Sequence, residues 1–79
     1  MRDERDRQMA ATLQKRLREV RERRRLSIKE VAQAAGLSVS QLYRLEKGER
    51  PRVAAITLAR IAQVLDTSLD YLLGLKDSD

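Results

Sequence analysis

The sequence predicts an all-α fold, a compact bundle of five helices in one small domain. Three observations predict it. Of the 79 residues, 42% are apolar, mostly Leu, Ala, Val and Ile, and Tyr43 and Tyr71 are the two aromatics, so the core is aliphatic. No β-branched alternating run marks a strand. A capping-box spacing, a hydroxyl followed three residues later by a carboxylate or amide, occurs twice between Ser27 and Gly48, as Ser27/Glu30 and Ser38/Gln41.

Residues 1–8 carry Arg2, Arg5 and Arg7 against Asp3, Glu4 and Asp6 and offer no apolar face. They read as a charged N-terminal arm, either frayed or a helical extension. Residues 9–75 form the domain. A first helix is expected from about Met9 to Arg24, because Met9, Leu13, Leu17 and Val20 recur at helical spacing. Arg21 lies at the edge of that stripe.

Two short helices follow, each with its own N-terminal signal. Leu26/Val31 and Leu37/Leu42 can form hydrophobic staples around the two caps. Gly36 stands between them, where the chain must end one helix and reverse at positive φ. Ala32 is small enough to let the two helices cross closely. At about 100° per residue, Leu42, Leu45 and Glu46 point one way, and Ser40, Tyr43, Arg44 and Lys47 the other. Val39 and Gln41 flank them. The third helix therefore has an apolar back and a basic front.

The loop E-R-P-R after Gly48 holds the single proline, Pro51. A fourth helix is expected over Val53–Leu65, with Ala55, Leu58, Ala59, Ala62 and Leu65 as its apolar stripe and Ile61 alongside. Asp66-Thr67-Ser68 breaks it and caps a fifth helix, Leu69–Leu73, which Gly74 ends. Residues 76–79, K-D-S-D, are a polar tail.

Seventeen basic against twelve acidic residues give a net charge of +5, which favours polyanions, nucleic acid first. The excess is local. Lys15–Arg25 holds seven basic residues against Glu19 and Glu22, and Arg44–Arg52 holds four against Glu46 and Glu49. For any one residue, a solvated face remains the alternative. With no His and no Cys, the usual general base, nucleophile and soft metal ligand are missing, and the three glycines stand singly. No enzyme activity, cofactor or metal is expected. No apolar run approaches the roughly 20 residues of a membrane span, and M-R-D-E-R-D-R-Q lacks the apolar segment of a signal peptide. A cytoplasmic protein without a membrane partner is expected.

The stretch Ser27–Gly48 resembles the helix-turn-helix of the phage-repressor and Cro family, the XRE family. Val31, Ala32, Gly36, Leu37, Ser38, Leu42, Leu45, Glu46 and Gly48 carry the resemblance, which extends from about Leu13 to Leu73. It implies a lambda-repressor-like DNA-binding domain and a small transcriptional regulator, a repressor by preference. It implies a structural ion pair between Arg21 and Glu46, tying the first helix to the third. Three departures stand out. Arg25 occupies a position where the family usually has Gly, so that turn is strained or the helix stops earlier. Pro51 comes early. Ile28, the first residue of the second helix, replaces a Gln that often contacts DNA.

The resemblance places the front of the third helix in the major groove. Arg44 can bond guanine O6 and N7 in bidentate fashion. Gln41 can read adenine or bond phosphate, Ser40 can reach a base edge or phosphate, and Val39 can pack on a thymine methyl. Tyr43 either contacts DNA or lies over the hydrophobic seam. Lys29, Lys47 and Arg50 are expected at phosphates. One domain covers one half-site, so a homodimer through the C-terminal helices is expected. Val64, Leu69, Leu72, Leu73 and Leu75 are its candidate surface, unless they cap the monomer core. Two other readings stay open: an antitoxin that binds a toxin and its own promoter, and an anti-repressor acting through a regulator protein.

Overall fold

A computed structural model describes residues 2–48 and 54–78. The chain forms α1 (Arg2–Arg23), α2 (Ile28–Ala35), α3 (Val39–Glu46), α4 (Ala55–Val64) and α5 (Leu69–Leu73), with no strand among the described residues. At 1.5 Å per residue, α1 is about 33 Å long and runs nearly the full 36 Å of the molecule. It packs against α3 and α5, while α2 packs against α3 and α4. The core is Leu13, Leu17 and Val20 of α1, Val31, Ala32 and Ala35 of α2, Leu42 and Leu45 of α3, with Ile61, Ala62, Leu65 and Leu72 closing it.

Both capping boxes form. The Ser27 hydroxyl accepts from the Glu30 N–H at 3.0 Å, and the Glu30 carboxylate accepts from the Ser27 N–H at 2.9 Å. Ser38 and Gln41 repeat this at 3.0 and 2.9 Å. Leu26 and Leu37, the outer halves of the staples, are half-buried against the core. Ala32 is completely buried, so the α2 backbone comes close to its neighbours, as a small side chain there permits.

The structure revises several boundaries. Of the two alternatives for the N-terminal arm, residues 2–8 form the helical extension, as the first turns of α1, and the helix stops at Arg23, one residue short of the expected end. α4 begins at Ala55, and Val53 lies outside the described residues. Its buried stripe is rotated toward Ile61, which is fully buried, whereas Ala55 and Ala59 are exposed. The larger side chain takes the core position because it removes more apolar area from water.

Four helices end in the same closure, in which an N–H bonds back to a carbonyl five residues earlier across a left-handed residue. The bonds are Leu26 to Arg21 at 3.1 Å, Leu37 to Ala32 at 2.8 Å, Thr67 to Ala62 at 3.0 Å and Leu75 to Asp70 at 2.8 Å. Gly36 and Gly74 supply positive φ at two of them. Arg25 (φ 59°) and Asp66 (φ 55°) supply it at the others, against the cost of a Cβ in that region. Arg24 joins these two turns. Its guanidinium donates to the Leu65 carbonyl at 2.5 Å and to the Asp66 carbonyl at 2.9 Å, so a cation sits on the C-terminal end of α4.

Two outcomes follow from these ends. Arg25→Gly removes the left-handed strain and should stabilise the domain by about 0.5–1 kcal/mol, net of the greater backbone entropy of Gly. Thermal unfolding checks it, and an unchanged or lower midpoint contradicts it. The second outcome is pH dependence at the α2 cap. The Ser27 N–H, with the Ser27 hydroxyl, holds the Glu30 carboxyl below its ordinary range. The folded pKa is therefore below the unfolded one, so this stabilisation is complete above the unfolded value and is lost as pH falls through the folded one. The stability gap between the wild type and Glu30→Gln should narrow in acid, and melts across pH that keep a constant gap refute it.

Candidate nucleic-acid interface

α3 is held by its buried back. Leu42 and Leu45 enter the core, and Glu46 beside them is 7% exposed. A buried carboxylate needs a partner. Arg21 supplies it in bidentate form, Nε donating to Oε2 at 2.6 Å and Nη2 to Oε1 at 2.9 Å. Arg21 Nη1 also donates to the Leu26 carbonyl at 2.9 Å. One guanidinium thus joins α1, the turn before α2 and the end of α3. The hydrogen bond to Glu46 pushes Arg21 further above its already high range, while burial opposes it. Gly48 closes the unit at φ 79°, and a Cβ there would collide with the Gln14 amide of α1.

The front of α3 faces solvent. Val39, Ser40, Gln41, Tyr43, Arg44 and Lys47 are all exposed, and Lys29 is exposed on the first turn of α2. Arg50 lies outside the described residues. Tyr43 is 51% exposed and lines a hollow together with the half-buried Ile28. The Lys47 amine sits 5.5 Å from the centre of the Tyr43 ring.

Gln41 completes the α3 capping box that its spacing from Ser38 predicts. Its Oε1 accepts the Ser38 N–H in the α3 cap. Bidentate reading of adenine uses the amide oxygen and nitrogen together. The cap engages one lone pair of the oxygen and holds the amide close to the helix start, leaving the second lone pair and the NH₂ to bond outward.

Beside α3 lies a hollow of about 160 Å³, lined by Arg18, Arg21, Ile28, Tyr43, Glu46 and Lys47. Arg18 is the lining residue that sequence reasoning did not single out. Its signal was present, because i,i+3 spacing puts it beside Arg21 on one face of α1. Ile28 is half-buried and forms an apolar part of the wall. Among the described residues no cluster of side chains could hold a metal ion, and no helix is long and apolar enough to cross a membrane.

Two helices locked by a left-handed glycine, the second with a buried back and an exposed basic front, make a DNA-binding helix-turn-helix domain. A helix-turn-helix family model matches residues 17–72. The chain belongs to that family, the phage-repressor and Cro (XRE) type. It is a DNA-binding helix-turn-helix regulator. Comparison with the curated proteins and with the solved structures gave no match.

The Arg21–Glu46 pair yields a double-mutant test. Arg21→Ala and Glu46→Ala should each cost about 3 kcal/mol, since each strands a buried charge. The double mutant should lose less than the sum, with a coupling of roughly 0.5–3 kcal/mol. Additive losses in chemical denaturation would dissolve the pair's role.

Proposed function

We propose that the protein binds specific double-stranded DNA sites with the front of α3 in the major groove and represses transcription by occupying them. The observation that supports this most is the division of α3: its back is fixed by Leu42, Leu45 and the Arg21–Glu46 pair, while its front is exposed and basic. In this reading Arg44 addresses a guanine edge, Val39 a thymine methyl, and Ser40 a base edge or phosphate. Lys29, Lys47, Tyr43, the Gln41 amide and Arg50 address the backbone. Residues 9–75 act as the DNA-binding domain, 1–8 extend its first helix, and 76–79 are a tail. The place of action is the cytoplasm.

A single domain reads one half-site, so the active species we propose is a homodimer. The expected surface needs revision, because Leu72 is wholly buried in its own core. Val64, Leu69 and Leu73 are half-buried, and Leu75 is 63% exposed. Leu73 and Leu75 line a groove of about 440 Å³ with Met9, Thr12, Gln8 and Arg5 of α1. This groove is the surface we assign to the second copy. Arg5 stands on it and Asp77 is exposed two residues beyond Leu75, so a two-fold pairing can set each opposite the other.

Selection from a random duplex pool, followed by binding across salt, tests the reading. Affinity should fall steeply between roughly 50 and 200 mM salt as counterions are released. Arg44→Ala should cost about 1–3 kcal/mol on the selected site and relax one base pair. Lys47→Ala and Lys29→Ala should weaken all sequences alike and lower the salt slope by about one each. No enriched sequence, or a flat salt dependence, would count against DNA reading. Equal losses on specific and random DNA for Arg44→Ala would reduce Arg44 to a phosphate contact.

A further inference from the structure

Two hollows lie end to end along α1 and share one residue. The first, about 440 Å³, is walled by Arg5, Gln8, Met9 and Thr12 of α1 against the C-terminal turn. The second, about 410 Å³, is walled by Thr12, Lys15, Arg16 and Glu19 of the same helix against Tyr71. Positions 5, 8, 12, 15 and 19 alternate steps of three and four, so they fall in one strip, roughly 120° wide with Met9 and Arg16 included. At 1.5 Å per residue the strip is about 21 Å long. Arg5 stands at one end of it and Glu19 at the other, both exposed. Neither has an ion-pair partner among the described residues. Most of the strip precedes residue 17, where the family match begins, so it lies outside the matched part of the chain.

We propose that this strip pairs with the same strip of a second copy, α1 against α1 in antiparallel orientation, with the two-fold axis at Thr12. The inference rests on the homodimer reading above and names the element that holds the two copies together. Charge selects the orientation. In a parallel pair like charges would meet at both ends, Arg5 on Arg5 and Glu19 on Glu19. Arg5 and Glu19 lie seven residues on either side of Thr12. An antiparallel pair centred there sets each Arg5 opposite a Glu19 of the second copy, twice per dimer. Asp77 adds negative charge at the Glu19 end, because it follows Lys76, whose carbonyl accepts from Arg16. Shape agrees with charge. Packed helices approach to about 8–10 Å between axes, and the short Thr12 side chain at the centre suits such a crossing. Met9 falls opposite Lys15, whose aliphatic stem can cover it. Leu75 borders the first hollow and adds apolar area beside Met9.

Oxidative cross-linking and sedimentation equilibrium of the full chain, with and without selected duplex, test it. The chain has no cysteine, so Thr12→Cys carries a single thiol, placed on the axis. Oxidation should convert most of it to a disulfide-linked dimer. Ala10→Cys, exposed on the far side of α1, should stay largely unlinked. Arg5→Glu and Glu19→Arg should each weaken dimerisation by roughly tenfold or more, since each sets two like-charged pairs in one interface. Mixing these two variants should restore the dimer, because every facing pair in the mixed species is again opposite in charge. Both side chains are exposed, so thermal melts should show the variants folded. A wild-type dimer that neither reversal weakens, or a mixture of the two that stays dissociated, overturns the α1 pairing and leaves the homodimer standing. So does linking that favours Ala10→Cys over Thr12→Cys. A wild type that is monomeric on and off DNA overturns both.

Discussion

The arrangement of this molecule depends on one ion pair. Arg21 and Glu46 lie 25 residues apart, on the first helix and the last turn of α3. The pair joins a surface that must face outward to a core that must stay closed. Taking two charges out of water is expensive, and attraction between them does no more than offset that cost in many proteins. Its value here is orientation. Two parallel hydrogen bonds allow one rotation of α3 about its axis, and a third, to the Leu26 carbonyl, sets the entry to α2 by the same guanidinium. A helix held by leucines alone could roll with little penalty, because apolar contacts are not directional. The same pair cancels the charge of Glu46 where the hollow beside α3 would otherwise be acidic.

Total charge was a poor guide to where the cations act. The basic run Lys15–Arg25 reads as one DNA-seeking patch, yet three of its arginines serve the fold. Arg16 donates to the carbonyls of Tyr71 and Lys76, both at 2.7 Å, and lies over the Tyr71 ring, which fixes the tail against α1. Arg21 holds Glu46, and Arg24 caps the end of α4. An Arg at a helix C-terminus satisfies carbonyls that would otherwise lack a partner. This duty is invisible in a sequence, because the carbonyls it serves belong to residues about 40 to 60 positions away. Arg18, whose partner Glu22 is exposed and one turn away, differs from these three.

Local chemistry was legible, and long-range geometry was not. The two capping boxes could be read from spacing alone, since both partners lie within one helical turn. Gly36 could be read for the same reason. The Arg21–Glu46 pairing needed a family resemblance, because no local rule connects those positions. Ile61 was misjudged beside Ala59 because a helical wheel fixes relative angles but not which sector faces the core. That sector is set by α2, which packs on α4. The turn at Arg25 resolved both ways: the helix ends one residue early, and the next turn still carries a side chain at positive φ. Residues 2–8 continue α1, and within them the Gln8 amide donates to the Glu4 carboxylate one turn back at 3.5 Å.

Gln41 carries the remaining step of the argument. A residue that completes a cap and also reads a base must divide one amide between two tasks. Here one lone pair of the oxygen belongs to the cap, which holds the amide close to the start of α3, and breaking that bond would expose an orphan N–H there. In the proposed reading, base information then concentrates in Arg44, Ser40 and Val39. A good bidentate contact discriminates by about 1–3 kcal/mol, and an apolar contact with a thymine methyl adds without fixing a donor pattern. Three readers on two turns of helix define only a few base pairs. The rest of the specificity must come from geometry, through a second half-site held at a fixed distance and phosphates that accept only one register of the domain. The exposed Leu75 is fixed in place by the closure onto Asp70 and by the Arg16 clasp on the residue after it, so in the proposed homodimer it would be an ordered surface. Rigidity in the C-terminal turn and economy in the recognition helix are therefore one design constraint, since a helix that reads few bases is useful only on a frame that fixes where the next one falls.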